Sequence, residues 1–182
     1  MLKKFKEYIT KIEYLNSSIA VLSWDAMVNT PKKGKAYRGE LLGYLSGEYY
    51  KLITDNQVIE FIEYFNTQKN LDEITKVMVR KIEKDYNEIK KIPEDMYKQY
   101  SIDASNSSTA WEDAKNANDF SIFKPHLKKM VDYKKKFVDY LGYEDNKYDT
   151  LLDMFEPGMT VKKLDEVFSE VRDAICEVIK KN

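Results

Sequence analysis

Three acidic side chains between residues 148 and 160 have a spacing that could support chemistry. In the segment YDTLLDMFEPGMT, Asp149, Asp153 and Glu156 are separated by four and three residues. On a helix this spacing places the three carboxylates on one face, where they could bind a cation or act as an acid/base pair. Alternatively, Asp149 caps the start of a short helix and the other two acids face water. Because nothing nearby in the sequence predicts burial of these acids, we favour the structural interpretation.

The same segment contains a predicted turn at Glu156-Pro157-Gly158. Proline presets the first central position of such a turn, and glycine permits a positive φ at the second. Thr160 follows as the predicted N-cap of the last helix. The sequence therefore predicts a short helix, a turn and a new helix start.

Histidine and cysteine, which often provide metal ligands and nucleophiles, occur once each in the chain. A His-Glu-x-x-His zinc helix needs two histidines one turn apart, so His126 cannot form one. The sequence also cannot form a metal-binding cluster of cysteines and histidines, because Cys176 is its only cysteine. A Ser-His-Asp triad would have to use His126, which we interpret as a solvated surface residue beside lysines. We assign no catalytic, cofactor-binding or metal-binding residue from these patterns.

Aromatic residues and glycines are two further candidates for binding. The two tryptophans and fourteen tyrosines could line a ligand or peptide groove. Aromatic residues at helical spacing are more often core, so we expect Trp24 and Trp111 in the core and tyrosines at its edge. The glycines of residues 34–47 occur at helical spacing and do not form a phosphate-binding loop.

Helices must position all of these side chains. Glycine and proline are few, at six and four residues, and 34% of the chain is charged. Apolar residues recur at spacings of three and four, and strict alternation is rare. We therefore predict an all-α fold, a bundle of about seven long helices. Residues 1–182 are predicted to form a single helical domain without an internal linker.

The helix boundaries are predicted from turn and capping signals. The first helix ends near Pro31, and further breaks fall at residues 54–56, before Asn70, at Pro93, at residues 118–119 and at Gly142. Asn70 is the predicted N-cap of the fourth helix, with Glu73 reaching back as in a capping box. Predicted inward positions include Leu2, Phe5, Ile9, Ile12, Tyr44, Leu45, Leu71, Ile74, Met78, Ile82, Val161, Leu164, Phe168, Val171, Ile175 and Val178.

Composition argues against several classes of partner. The chain has 30 basic and 31 acidic residues mixed along its length, so it lacks the basic stripe expected for nucleic-acid binding. Charged residues interrupt the apolar runs at the N-terminus, so we predict neither a signal peptide nor a membrane span. A single cysteine fits a reducing compartment, and we expect a cytoplasmic location.

Three segments carry a family resemblance. They are SWDAMVNTPKKGKAYRGELLGYLS (residues 23–46), AWEDAKNANDFSIFKPHLKKMVD (residues 110–132) and YDTLLDMFEPGMTVKKLDEVFSEVR (residues 148–172). Together and in this order they resemble motifs of the carboxypeptidase Taq family of metallocarboxypeptidases. The resemblance spans nearly the whole chain, and the third segment is its strongest part. Two departures are Thr30, where the family usually has methionine, and Tyr50, which stands near a usual histidine.

The resemblance implies an all-α fold whose long N-terminal helices form a wall or lid of a deep substrate groove. It also implies zinc-dependent removal of single C-terminal residues from peptides. The family's zinc-binding and substrate-binding residues lie beyond the EPGMT segment, so none is carried over to residues 1–182. We therefore expect zinc only in the complete family enzyme and no catalysis by this chain alone.

Two other interpretations stay open. The chain could be a free-standing helical interaction or regulatory protein derived from the family, or an enzyme with unrelated chemistry near Asp153 or His126. The apolar stripe of the last helix, widened by Val167 and Ile179, is expected to leave an exposed patch. We expect this patch to be covered by self-association or by a separately encoded catalytic half. Peptide contact is expected only in the complete enzyme.

Overall fold

The computed structural model describes residues 1–181, and within that range it contains helices and their connections but no strand. The all-α prediction is therefore confirmed. No helix of the described residues is both long enough and apolar enough to cross a membrane. The helices are α1 (Leu2–Val28), α2 (Lys32–Ile53), α3 (Asn56–Asn66), α4 (Glu73–Ile89), α5 (Glu94–Ala117), α6 (Phe120–Leu141), α7 (Lys147–Asp153) and α8 (Val161–Lys181).

The chain divides by its contacts into two compact units. The first is Met1–Tyr133 and the second is Lys134–Asn182, so α6 contributes residues to both. Within the first unit, α2 packs against α1, α4 and α5, and α3 packs against α4. Within the second, α7 packs against α8. The single domain over residues 1–182 stays a prediction.

An aromatic core forms where α1, α2, α3 and α4 meet. The side chain of Phe5 is fully buried, with its ring centroid 5.3 Å from that of Phe61 and 4.8 Å from that of Phe65. Burying one such side chain contributes about 1.5–3 kcal/mol. The predicted inward positions Phe5 and Ile12 are confirmed, whereas Leu2 is exposed. The buried cluster comprises Phe5, Tyr8, Ile12, Ile53, Val58, Phe61, Ile62, Phe65, Val79 and Ile82.

Small residues allow α2 and α5 to approach closely. Gly39, Gly43, Ser46 and Gly47 are buried on α2. A Cβ placed on Gly43 would lie 2.3 Å from Cγ1 of Ile102 on α5, a distance that real side chains do not adopt. Tyr44, predicted to point inward, is 56% exposed. The prediction was wrong because the small residues occupy the inward face and turn Tyr44 outward.

The start of α4 differs from the predicted capping box. Asp72, not Asn70, is the N-cap, and its Oδ1 accepts the Thr75 N–H at 2.9 Å. Its Oδ2 accepts the Thr75 hydroxyl at 2.7 Å, and these hydrogen bonds lower the pKa of Asp72. Thr75 is fully buried, whereas Ile74, predicted to face inward, is 72% exposed. Ile82 is buried and Leu71 and Met78 pack against the core as predicted, so Ile74 alone departs from the predicted inward face of α4.

The boundary between α5 and α6 lies where the sequence predicted it. Asn118 ends α5 in the left-handed conformation at φ +50°, and the Asp119 N–H donates to the Ala114 carbonyl at 2.9 Å. The Asp119 Oδ1 accepts the Ser121 N–H at 2.9 Å, which caps the beginning of α6. The hydrogen bonds from Ser121 also lower the pKa of Asp119.

Candidate functional site

The acids predicted as a candidate site lie at the corner between α7 and α8. Asp149 Oδ1 accepts the backbone N–H of Val161 at 2.7 Å, at the first residue of α8. Asp153 Oδ1 accepts the backbone N–H of Gly158 at 2.7 Å. Both carboxylates are thus used to hold backbone N–H groups, which supports the structural interpretation over an acid/base pair.

The turn at this corner has the predicted geometry. The Glu156 carbonyl accepts the N–H of Met159 at 2.9 Å, across Pro157 and Gly158. Gly158 has a φ of +80°, a conformation that glycine adopts without strain. The Lys163 ammonium donates to the Gly158 carbonyl at 2.7 Å. The predicted Pro-Gly turn is therefore confirmed, and Glu156 itself is exposed.

The caps at this corner differ in part from those predicted. Asn146, not Asp149, caps α7, because its Oδ1 accepts the Tyr148 N–H at 2.9 Å. Asp149 lies one turn further on, where it reaches the first N–H of α8 instead. Thr160 Oγ1 accepts the Lys163 N–H at 3.2 Å, as the predicted cap of α8 should. Two side chains thus stabilise the start of α8.

A second polar cluster lies within the first resemblance segment, residues 23–46, and connects its two ends. Asp25 Oδ2 accepts from Arg38 Nη2 at 2.8 Å and from Thr30 Oγ1 at 2.9 Å. The Arg38 and Asp25 side chains are 21% and 29% exposed, so the ion pair is partly shielded from water. This pair ties the end of α1 to α2. Thr30, one of the two departures from the family pattern, takes part through its hydroxyl.

The two tryptophans are not in the core, which corrects the sequence prediction. Trp24 is 56% exposed and Trp111 is 50% exposed. The buried face of α5 is made by Asp103, Ser107, Ala110 and Ala114, and Trp111 lies outside this face. Periodicity identified apolar positions but not which face of each helix is covered.

Asp103 is a buried charged residue that the sequence reasoning missed. Its side chain is 11% exposed, and its Oδ2 accepts from Lys129 Nζ and Tyr133 Oη, both at 2.7 Å. Burial alone would raise the pKa of Asp103, but hydrogen bonds from Lys129 and Tyr133 outweigh it and lower the pKa. Asp103 stands four and seven residues before the buried Ser107 and Ala110. That helical spacing was the signal available in the sequence.

The second departure from the family pattern also has a structural contact. Tyr50 Oη donates to the Ile92 carbonyl at 2.9 Å, and the Tyr50 ring lies 5.6 Å from that of Tyr97. Burial, and then the charge of Asp85, raise the pKa of Tyr97 to about 12. Burial also raises the pKa of Asp85 itself. These shifts follow from helix packing around partly buried polar groups.

The residues described do not fit a zinc site. His126 is half-buried on α6, less solvated than predicted, and Cys176 is a free, exposed thiol on α8. Among the residues that the structure describes, no three His, Cys, Asp or Glu side chains are grouped to hold a metal. Structural and catalytic zinc sites use three or four such ligands. No chemical step is therefore derived through a metal held by these residues.

Comparison with known proteins gives consistent matches. The family model of the carboxypeptidase Taq (M32) metallopeptidases matches residues 4–182. Carboxypeptidase 1 of Bacillus subtilis is 40% identical over 179 residues, which are 98% of this chain and 36% of that protein. Thermostable carboxypeptidase 1 of Pyrococcus furiosus is 31% identical over 89% of this chain and 32% of its own length.

Solved structures agree in fold. The BsuCP crystal structure matches 98% of this chain with a TM-score of 0.94 and 39% identity. A structure of Pyrococcus furiosus carboxypeptidase matches with a TM-score of 0.81 and 29% identity. In both cases the match covers only 36% of the other chain. The chain thus spans about a third of the length of the relatives it matches, and corresponds to their N-terminal portion.

Proposed function

Because the chain belongs to the carboxypeptidase Taq (M32) metallopeptidase family, we propose that it supplies the N-terminal helical wall of a zinc-dependent carboxypeptidase. The complete enzyme would release single C-terminal residues from peptides. The observation that carries this proposal is the family match over residues 4–182 combined with coverage of 36% of Carboxypeptidase 1. The metal centre and substrate ligands would come from the part of the enzyme outside the match.

The chain's own residues support a scaffolding role. The core of α1 to α4, the α2–α5 contact and the buried Asp103 fix the positions of long helices in the first unit. The acids at the α7–α8 corner are used to hold backbone N–H groups. Rigid elements of this kind can position a substrate wall without taking part in the reaction.

A free-standing helical interaction or regulatory protein is the second candidate. The observation that favours it is the apolar side of α8, where Phe168 and Ile175 are 59% and 53% exposed. Such a surface suits association with another protein. For either function we propose a cytoplasmic location, which the single cysteine supports.

A chimera tests the proposed function. The chain would replace the matched N-terminal portion of Bacillus subtilis Carboxypeptidase 1, joined to the remainder of that protein at the end of α8. We expect the zinc-loaded chimera to release C-terminal residues from a peptide at a rate within about tenfold of that of the intact enzyme. A tenfold loss corresponds to an increase of about 1.4 kcal/mol in the activation free energy, which small errors in the position of the substrate wall could cause. The rate would be followed by mass spectrometry of the peptide.

The remainder alone and the chain alone serve as controls, and neither is expected to release residues at a comparable rate. A chimera that is folded by circular dichroism, binds zinc and is inactive would contradict the proposal. In that case the free-standing interaction protein becomes the favoured function.

A further inference from the structure

Helix α2 is held by different kinds of contact at its two ends. At its C-terminal end, Ile53 is fully buried in the cluster that also contains Phe5 of α1 and side chains of α3 and α4. At its N-terminal end there is no such core, because no residue from Glu13 in α1 to Arg38 in α2 is buried. The apolar core therefore does not extend to the corner where α1 ends and α2 begins.

Ion pairs occupy this corner instead. Lys32 Nζ lies 2.5 Å from Oδ1 of Asp113 on α5, and Lys35 Nζ pairs with Oε2 of Glu112 on the same helix. The Lys35 side chain is only 13% exposed, so its charge is largely shielded from water. The hydrogen bond to Asp113, and then the charge of Asp113, raise the pKa of Lys32. The start of α2 is thus attached to α5 by charge.

The start of α2 lacks the groups that usually stabilise a helix N-terminus. Pro31 is the N-cap and makes no side-chain hydrogen bond there, and the first turn contains no acidic residue. Three lysines stand among residues 32–35, where the positive end of the helix macrodipole disfavours cations. Glu112 and Asp113 bring negative charge to this end from another helix. The first turn of α2 therefore depends on its pairs with α5.

The middle of the contact between α2 and α5 does not depend on charge. Gly43 lies directly against Ile102, and the hydroxyls of Ser46 and Ser101 are hydrogen-bonded at 2.9 Å. Loss of the pairs at residues 32 and 35 would leave these contacts and the apolar core in place. Local opening of this kind needs less free energy than global unfolding, because only a few contacts are broken.

We propose that Lys32 and Lys35 form a charge latch with Asp113 and Glu112, through which the ionic surroundings of the protein control the attachment of the start of α2 to α5. In the closed state the four charges are paired. Screening of the pairs by ions, or reversal of one charge, opens residues 32–38 while the core stays folded. Exposed ion pairs each contribute little free energy, so ions can shift the populations of the closed and open states. The charge latch goes beyond the proposed function, and its test needs no catalytic activity.

Hydrogen exchange of single backbone amides, followed by NMR on the 182-residue chain, measures the opening. The amides of residues 36–40 report on the start of α2, and those of Phe61, Ile62 and Phe65 report on the core. Raising NaCl from about 0.01 M to about 1 M shortens the screening length from about 30 Å to about 3 Å. We expect the protection of residues 36–40 to fall at least about threefold over this range, and the protection of the three core amides not to fall.

Two lysines of the first turn of α2 offer matched variants. Lys35→Glu places a like charge against Glu112, whereas Lys33→Glu places the same charge in the same turn at an exposed residue. The macrodipole alone would make both substitutions stabilising. The charge latch requires instead that Lys35→Glu lowers the protection of residues 36–40 at least about tenfold at low salt, because an attraction becomes a repulsion. Lys33→Glu should not lower this protection.

Exchange of the two charges provides a rescue. In Lys35→Glu/Glu112→Lys the pair is restored with its signs reversed, and the protection of residues 36–40 should return to within about threefold of that in the unsubstituted chain. Salt tests the sign independently, because screening weakens attraction and repulsion alike. Added NaCl should therefore lower the protection in the unsubstituted chain and raise it in Lys35→Glu. Circular dichroism checks that the variants fold, and Lys35→Met replaces Lys35→Glu if that variant does not.

Four outcomes would overturn the proposal. Equal protection of residues 36–40 in Lys35→Glu and Lys33→Glu would show that the pair with Glu112 does not hold the start of α2. A charge-exchanged variant as open as Lys35→Glu would assign the opening to lost packing and not to charge. Protection that is independent of NaCl would remove the control by ions. A fall by the same factor at residues 36–40 and at Phe61 would mean that the chain unfolds as a whole and contains no separate latch.

Discussion

At the scale of single residues, Asp103 shows how a charge is accommodated between two helices. It lies on α5, and both of its partners, Lys129 and Tyr133, lie on α6. A buried carboxylate without partners would be strongly unfavourable, so the two 2.7 Å contacts are required for it to stay ionised. Their hydrogen bonds lower the pKa of Asp103 despite its burial.

We predict that Asp103→Asn lowers the free energy of unfolding by about 1–3 kcal/mol at pH 7, because a charge-assisted bond and an ion pair are lost. The lowered pKa means that the stabilising effect is complete above the unfolded value of about 3.9 and is lost as pH falls through the folded pKa. The difference between Asp103→Asn and the unsubstituted chain should therefore shrink below about pH 4. Urea denaturation at several pH values measures it.

The control is Glu48→Gln, which breaks an exposed pair with Lys51 on α2. Its effect should be much smaller than that of Asp103→Asn, because both side chains of this pair are exposed to water. An Asp103→Asn difference that persists unchanged at acid pH would show that the carboxylate charge is not the source of the stability.

At the scale of elements, the contact between α2 and α5 depends on residues with small side chains. Gly43 faces Ile102, and Gly47 faces the flexible side chain of Lys98. Ser46 and Ser101 complete the contact with a hydrogen bond of 2.9 Å between their hydroxyls. The small side chains along α2 thus determine how closely α5 can approach it.

We predict that Gly43→Ala destabilises the chain by about 1–3 kcal/mol, because the added methyl group would lie 2.3 Å from Cγ1 of Ile102. Ile102→Ala in the same chain should relieve the overlap, so the two effects should be less than additive. Thermal and urea unfolding of the single and double variants measure this coupling.

Gly47→Ala on the same helix is the matched control. Its Cβ would lie 3.5 Å from Cδ of Lys98, an ordinary contact, so the higher helix propensity of alanine should make it neutral or stabilising. Equal destabilisation by the two alanine variants would contradict the steric explanation.

The helices themselves could largely be predicted from the sequence, because Pro31, Pro93, Asn118 and Gly142 are local signals that interrupt a regular apolar period. The covered face of each helix was harder to predict. Ile74 is exposed and its neighbour Thr75 is buried, although Met78 and Ile82 of the same predicted stripe do contact the core. A hydrophobic period gives the apolar stripe but not the neighbour that covers it.

The candidate site was predictable for a different reason. The corner formed by Asp149, Pro157, Gly158 and Thr160 depends on contacts within about twelve residues, so local turn chemistry predicted most of it. The Asp103 cluster joins residues 30 apart in sequence, and local reasoning gave no partner for it. The resemblance segments identified the family without identifying any residue that performs its reaction.

At the scale of the whole molecule, the chain combines a well-packed first unit with a helix whose apolar side is exposed. Val171, Ile175 and Ile179 on α8 are patterned for burial, although the described part of the chain leaves them open. Together with coverage of 36% of the matched carboxypeptidases, this supports the proposal that the chain is the N-terminal portion of a larger enzyme.

The central claim is that this chain contributes structure to a carboxypeptidase and not its metal centre. The most direct measurement is the release of C-terminal residues from a peptide by the purified 182-residue chain supplied with zinc, with bound metal determined in the same sample. We predict no stoichiometric zinc and no release above that of a zinc-only blank, because the described residues offer no group of three suitable ligands. One zinc ion per chain together with enzymatic release of C-terminal residues would contradict the claim.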